Sequence, residues 1–218
     1  MKKFESMKKE NTMRNITKII IFFLFTSGFL GGCEHQKLLL IYLQDSSASC
    51  INDSTCSKNS QQVCHATVES MSSDALYSRI LVNSEVLKND PQLLSNKEIF
   101  HKKCNEKLIP KGVGTFVCPS FELSQELIHR HSNYTPIVVN HIQTNEQEKF
   151  CPETLKKLMT MMQEKKGKMI VVGSTDTGNT KFNYQMWEVL KKLPNNHFCD
   201  DHSNVRACTK NQILNSSY

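Results

Sequence analysis

The chain has 218 residues and a formal net charge of +6, with 27 basic and 21 acidic side chains. Six of the basic and two of the acidic side chains lie in residues 1–32, so residues 33–218 carry a net charge of only +2. A nearly neutral segment without a basic stripe gives no electrostatic basis for binding nucleic acid, although its length is enough for one domain with its own core.

The amino terminus has the layout of a secretory signal. Six basic side chains precede Ile19–Leu30, an uncharged run that is too short to cross a bilayer comfortably. The run closes on Leu30-Gly31-Gly32-Cys33, which resembles a bacterial lipobox. The resemblance implies that residues 1–32 are a cleaved lipoprotein signal peptide and that residues 33–36 are a tether whose Cys33 carries diacylglycerol and acyl chains in the cell envelope. The alternatives are an ordinary signal peptide and an uncleaved anchor.

The next segment is predicted to contain two strands separated by a polar loop. Lys37–Leu43 is a continuous apolar run, as expected for a strand that is buried on both faces, and Leu76–Val82 is predicted as the second strand. Residues 50–74, rich in Ser, Asn, Asp and Cys, are predicted as a loop with a short helix near Gln61–Met71. Ser84–Leu87 is the expected edge partner of the second strand.

Four helices are predicted after the second strand. The first begins at a capping box, Ser95 to Glu98, and runs to about residue 107 with three inward residues, namely Ile99, Phe100 and Cys104. The second covers Pro119–His129. The third begins at Pro152, which suits a first helical position, and the fourth is capped by Asn183. The apolar stripe of the third helix consists of Leu155, Leu158, Met159 and Met162.

Three further strands are predicted at Pro136–Ile142, Lys168–Gly173 and Asn196–Cys199. Strands that alternate with helices of about ten to fifteen residues imply an α/β fold, with a mostly parallel central sheet flanked by helices on both faces. Ligands of such sheets bind beyond the carboxyl ends of the strands, which makes the loop after Leu43 the first place to look for a function.

Eight cysteines follow Cys33, and no Cys-x-x-Cys pair occurs among them, so the sequence gives little support to a zinc ribbon or a thioredoxin-type centre. An even number in an exported chain predicts up to four disulfides, whereas the alternative is a few free buried thiols. The pairing stays open, because eight cysteines allow 105 connectivities. The candidates are Cys50, Cys56, Cys64, Cys104, Cys118, Cys151, Cys199 and Cys208.

Catalytic motifs are absent from the sequence. It contains no His-Glu-x-x-His, no Gly-x-Ser-x-Gly and no phosphate-cradling glycine loop. The histidines are scattered and are expected to be mostly surface or capping residues. We therefore expect the protein not to be an enzyme.

The loop after Leu43 carries Asp45, Ser47 and Ser49 in the pattern Asp-x-Ser-x-Ser. One carboxylate and two hydroxyls are hard oxygen donors that suit Mg²⁺ or another hard divalent cation, whose open positions can accept a carboxylate from a partner. The alternative is a serine-rich turn in which the Asp only shapes the backbone.

This pattern and the order of the elements resemble the von Willebrand factor type A (vWA) domain, whose metal-ion-dependent adhesion site opens with Asp-x-Ser-x-Ser after its first strand. The resemblance covers residues 37–218, and Gly112-Val-Gly114-Thr115 is similar to the Gly-Gly-Thr loop of the family. It implies a Rossmann-like domain in which Thr115 is a further metal ligand and a protein is the partner. Cys50 and Cys118, each close to a loop of this site, are expected to pin those loops.

The fourth strand departs from the vWA pattern. The family ends this strand in Thr-Asp-Gly, with the Asp in the metal site, whereas the stretch Asn140–Glu146 contains no Asp. Asn145 or Gln143 is expected to supply a neutral oxygen, or Glu146 to reach in, and each of these changes the site. The alternative is a turn that keeps the shape of the site without the ion.

The sequence therefore predicts a lipid-anchored extracytoplasmic module that binds a protein partner through a degenerate adhesion site. A rival resemblance, to the OmpA-like peptidoglycan-binding domain, places Asp176 in a Ser-Thr-Asp motif but lacks the paired arginine of that family. It also leaves residues 37–130 unexplained. A purely structural envelope lipoprotein is the third possibility.

Overall fold

The computed structural model describes residues 37–72, 74–83, 93–109, 117–142, 151–173, 196–199 and 204–215. The strands in these ranges are β1 (Leu38–Asp45), β2 (Leu76–Val82), β3 (Leu93–Leu94), β4 (Thr135–His141), β5 (Lys168–Val172) and β6 (Asn196–Cys199). The helices are α1 (Ala48–Asn52), α2 (Ser54–Glu69), α3 (Lys97–Cys104), α4 (Val117–Arg130), α5 (Pro152–Glu164) and α6 (Val205–Leu214). Within these ranges, no helix combines the length and the apolar character needed to cross a membrane.

The strands form one sheet in the order β3-β2-β1-β4-β5-β6. All neighbours pair in parallel except the short edge strand β3, which is antiparallel to β2. Leu43 of β1 lies opposite Ile80 of β2 on one side and Asn140 of β4 on the other. The carboxyl ends of the three central strands therefore meet at one edge of the sheet.

β1 lies at the centre of the sheet, and all eight of its residues are buried. Because side chains alternate between the faces of a strand, Leu39, Ile41 and Leu43 pack against α4 and α5, whereas Leu40 and Tyr42 face the opposite core under α2, α3 and α6. A sheet with helices on both faces needs apolar residues at both sets of positions. The α/β fold predicted from the apolar run is confirmed.

The segment before β2 is more helical than predicted, because the short helix expected near Gln61–Met71 is the second half of a longer one. Residues 54–69 form a helix of 16 residues, which begins where the Asp53 side chain accepts hydrogen bonds from the backbone N–H groups of Thr55 and Cys56, at 2.7 and 3.0 Å. Its buried face includes Cys56, Asn59, Ser60, Val63, Cys64 and Thr67. This face has helical spacing but few large apolar residues, so the hydrophobic pattern of the sequence does not reveal it.

Other elements differ from their predictions in detail. α3 is capped by Asn96 rather than Ser95 and ends at Cys104, and Ile99 is 45% exposed although it was expected to point inward. The described edge partner of β2 is β3, while Ser84–Leu87 and the helix predicted from Asn183 lie outside the described residues. α6 was not predicted, because its sequence carries only two buried large apolar residues, Val205 and Ile213.

Four disulfides connect all eight candidate cysteines. The prediction of a disulfide-bonded domain is therefore confirmed, and the structure selects one pairing from those that the sequence left open. The bonds are Cys50–Cys56, Cys64–Cys104, Cys118–Cys151 and Cys199–Cys208.

The turn between α5 and β5 generates a stability prediction. Lys166 has a left-handed φ of 54°, whereas a side-chain carbon at Gly167 would lie 2.6 Å from the Pro136 backbone oxygen. We expect Lys166→Gly to raise the free energy of unfolding by about 1 kcal/mol and Gly167→Ala to lower it by about 1–3 kcal/mol. Urea denaturation measures both changes. Equal stability of the Gly167→Ala variant and the parent protein would contradict the close contact with Pro136.

Candidate functional site

The Asp-x-Ser-x-Ser turn lies where β1 ends, at the carboxyl edge of the sheet. Asp45 is the last residue of β1 and is fully buried, Ser46 and Ser47 are buried, and Ser49 is exposed. The Ser47 backbone N–H donates to Asp45 Oδ1 at 2.8 Å, which fixes the carboxylate against the turn that follows it. The turn thus begins in the buried interior at Asp45 and reaches solvent at Ser49.

Ser46 connects this turn to the end of β2. Both its backbone N–H and its hydroxyl donate to the Val82 backbone oxygen, at 2.9 and 3.1 Å. The Asn83 side chain donates to Ser46 Oγ at 3.2 Å. The sequence analysis did not single out Ser46 or Asn83. Asn83 directly follows the predicted strand Leu76–Val82, and Ser46 directly follows the observed end of β1, so a position at the carboxyl end of a strand was the available signal.

The two hydroxyls of the pattern converge. Ser47 Oγ and Ser49 Oγ lie 3.0 Å apart and share a hydrogen bond. Neighbouring ligands of an octahedral Mg²⁺ are separated by about the same distance, since each lies about 2.1 Å from the ion at a right angle to the next. This spacing and the hard-oxygen character of the donors fit the predicted cation.

The Cys50–Cys56 disulfide holds the backbone beside the turn. Ser47 Oγ accepts from the Cys50 backbone N–H at 3.4 Å and caps α1, and the Cys50–Cys56 bond joins α1 to α2. The Cys118–Cys151 bond likewise joins the first turn of α4 to the residue before α5. Both cysteines expected to pin a loop of the site, Cys50 and Cys118, are therefore bridged.

Buried polar side chains also occupy the ends of β1 and β4. His141 is fully buried, contrary to the expectation of a surface or capping histidine, and it lies opposite Gln44. The Gln44 side chain donates to Ser60 Oγ at 2.8 Å. By alternation, Asn140 shares its face of the sheet with Asp45. Ile142, the buried residue that follows β4, comes next after the His141 that pairs with Gln44, so the residue nearest to the level of Asp45 there is apolar.

Three residues of the predicted metal site are described, and the structure brings them together: Asp45, Ser47 and Ser49. Thr115, Asn145 and the lipidation candidate Cys33 lie outside the described residues. In the described part of the chain, no group of three His, Cys, Asp or Glu side chains is placed to hold a metal ion. A cation at this turn therefore depends on serine hydroxyls and one carboxylate.

Two groups on β2 have shifted pKa values and belong to the scaffold. Burial, with a smaller contribution from Asp74, raises the pKa of Tyr77 to about 12. Burial lowers the pKa of Arg79, and Glu106, whose carboxylate lies 3.5 Å from the guanidinium, opposes this shift. The guanidinium also donates to the Lys103 backbone oxygen, which ties β2 to α3.

Three solved structures share this fold. A von Willebrand factor type A protein from Catenulispora acidiphila has a TM-score of 0.56 at 10% identity, over 84% of this chain and 43% of its own. Proximal thread matrix protein 1 from the mussel byssus has a TM-score of 0.54 at 11% identity, over 82% of this chain and 47% of its own. An aerotolerance-related membrane protein from Bacteroides fragilis has a TM-score of 0.55 at 12% identity, over 82% of this chain and 98% of its own.

At such low identity these likenesses establish the fold alone. The chain spans less than half of the length of the first two proteins. Neither protein-family models nor curated proteins give a match to the sequence. The vWA-like α/β fold is thereby confirmed, and the activity of the site is a separate question.

We expect the Cys50–Cys56 bond to order the candidate turn. Replacing both cysteines by Ser should lower the free energy of unfolding by about 2 kcal/mol and speed amide exchange in α1. The matched control is the Cys199→Ser, Cys208→Ser variant, which opens a loop of similar length at β6 and α6 and should leave exchange in α1 unchanged. Unaltered exchange in α1 without the Cys50–Cys56 bond would refute the ordering role.

Proposed function

We propose that this protein is a lipid-anchored extracytoplasmic module that binds a protein partner at the turn formed by residues 45–49. The observation that carries the proposal is the convergence of Ser47 Oγ and Ser49 Oγ, 3.0 Å apart, beside the buried Asp45 at the end of the central strand. The vWA-like fold supports it, because ligands of such sheets bind at this edge.

The donors favour a divalent cation such as Mg²⁺ at the turn. Asp45, Ser47 and Ser49 would hold it from the described residues, with Thr115 and Asn145 as the further predicted ligands. When bound, the cation would supply positive charge and open coordination positions for a carboxylate of the partner. Asp45 would anchor one side of the site, and its bond from the Ser47 N–H keeps the carboxylate in place before the cation arrives.

The charge balance of this ligand set favours an acidic partner group. Asp45 is its one carboxylate, so a divalent cation there keeps a net charge of about +1. A ligand set with one carboxylate binds the cation more weakly than a set with two, since the Coulomb attraction is smaller. An Asp or Glu side chain of the partner would then complete both the coordination and the charge.

The proposed location follows from the covalent chemistry of the chain. Disulfides persist in oxidising compartments, and this domain has four of them within the described residues. Together with the lipobox-like Cys33, they favour the outer side of a membrane, with acyl chains as the attachment. Within the described residues we find no observation that favours peptidoglycan binding, and Asp176, on which that alternative rests, lies outside them.

A thermal melt with divalent cations tests the metal site. At one hundred times the dissociation constant, Mg²⁺ or Mn²⁺ should add about 2.7 kcal/mol to the free energy of unfolding. Asp45→Asn keeps the oxygen that accepts from Ser47 but removes the charge, so it should abolish this gain. Asp53→Asn is the matched control, because it removes a carboxylate eight residues away at the start of α2 and should keep the gain.

The proposal of a metal site is wrong if neither cation stabilises the parent protein. It is also wrong if the Asp45→Asn variant gains as much stability as the parent. In the favourable case, EDTA should also release any partner that the protein captures through the turn. Sedimentation with peptidoglycan in EDTA would instead support the rival function.

The anchor is tested separately by Cys33→Ser. The parent protein expressed in a bacterium should sediment with membranes and incorporate a labelled fatty acid, because each buried methylene contributes about 0.8 kcal/mol. The variant should lose the label and accumulate with its signal peptide uncleaved. Fatty-acid labelling that persists in the variant, or is missing in the parent, would exclude lipidation at Cys33.

A further inference from the structure

A pair of histidines lies on the surface where α2 meets α3, about three helical turns along α2 from Asp53. The ring centroids of His65 and His101 are 4.5 Å apart, and the ring planes are tilted by 48°. Both residues are partly buried. The pair is separate from the turn at the end of β1, and the proposed function does not use it.

The hydrogen bonds around His65 define which ring nitrogen carries its proton. The Asn105 side-chain N–H₂ donates to the His101 backbone oxygen at 3.3 Å, which turns Asn105 Oδ1 towards His65. This oxygen accepts from His65 Nε2 at 3.0 Å and from Gln61 Nε2 at 3.2 Å. Because an amide oxygen only accepts, Nε2 carries the proton and Nδ1 of the neutral ring keeps a bare lone pair.

Within the described ranges, that lone pair has no hydrogen-bond partner. The atom that carries this lone pair, His65 Nδ1, is buried. A buried polar atom left unpaired costs free energy, so native structures rarely keep one without a reason. A histidine that ligates a metal has the same arrangement, since it typically donates its other ring N–H to an oxygen that orients it. Asn105 is that oxygen for His65.

The two helices hold the rings close together. The Cys64–Cys104 disulfide links α2 and α3 at the residue next to His65 and one turn beyond His101. Near the end of α2, the Lys97 ammonium donates to the Glu69 and Met71 backbone oxygens, both at 3.1 Å. A ligand that bridges the rings would therefore bind to a preorganised pair.

We propose that His65 and His101 form a binding site for a borderline divalent transition metal, with Zn²⁺ as the representative ion and water in its remaining positions. Imidazole nitrogen suits Zn²⁺, Cu²⁺ and Ni²⁺, whereas Mg²⁺ prefers oxygen. The site therefore differs in ion class from the oxygen site at Asp45, and the two proposals stand or fall separately.

The electrostatic surroundings are compatible with a neutral ligand. Burial lowers the pKa of His65, and the charges of His101 and Arg206 lower it further, against the hydrogen bond that His65 donates to Asn105 and the charge of Glu69. At neutral pH the ring is thus available to a cation without losing a proton first. Glu69 is itself paired with Arg206, so we do not count it as a ligand.

Calorimetric titration of the purified, tag-free protein with ZnCl₂ tests the site. We expect one Zn²⁺ per chain, and MgCl₂ should not compete for it. His65→Gln and His101→Gln should each weaken binding by at least about tenfold. The matched control is the double variant His129→Gln, His131→Gln, which removes two histidines that lie two positions apart in the sequence and should leave the affinity unchanged.

A second measurement uses the parent protein alone, so it tests the site even if a histidine variant fails to fold. In the NMR spectrum of the parent protein, Zn²⁺ should shift the imidazole signals of His65 and His101 and leave those of His129 and His131 in place. Asp45→Asn should bind Zn²⁺ as the parent does, which separates this proposal from the proposed function. No Zn²⁺ binding, binding that survives both single variants, or binding that depends on His129 and His131 would overturn the proposal.

Discussion

The complete burial of β1 is the constraint on which the other features depend. The strand is hydrogen-bonded to β2 and β4 and covered by helices on both faces, so its position and register are fixed. Asp45 is its last residue, and the turn that follows inherits that rigidity through the bonds from Ser46 to the Val82 oxygen. A carboxylate held at the end of a central strand needs little reorganisation to receive a ligand.

The disulfides extend this rigidity to helices that have modest apolar faces. α2 buries Ser60, Cys64 and Thr67 where most amphipathic helices bury Leu or Ile, yet it is linked twice, in its first turn through Cys56 and in its second half through Cys64. Covalent links restrict the unfolded chain, so they contribute stability that the core does not supply here. The same links position the candidate turn on one side of α2 and the histidine pair farther along it.

The sequence predicted those elements whose buried residues are large and apolar, and it predicted less well those whose buried residues are polar. β1 was predicted from its continuous apolar run, and α5 was predicted because Leu and Met recur at helical spacing. Only the second half of α2 was predicted, as a short helix near Gln61–Met71, because its buried face is largely polar. The disulfide pairing needed the tertiary structure. Asp45, Ser47 and Ser49 were found from a local motif, whereas the two histidines of the pair come from distant segments and carry no local signal.

The central claim is that the turn at the end of β1 holds a divalent cation. Amide signals recorded by NMR during titration with paramagnetic Mn²⁺ test it most directly, because broadening reports proximity to the ion. We expect the amide signals of Ser46, Ser47 and Ser49 to broaden first. The signals of Leu38 and Lys168, which lie at the amino edge of the sheet roughly 20 Å away, should stay sharp. Broadening that is absent from the turn, or that is centred elsewhere on the domain, would contradict it.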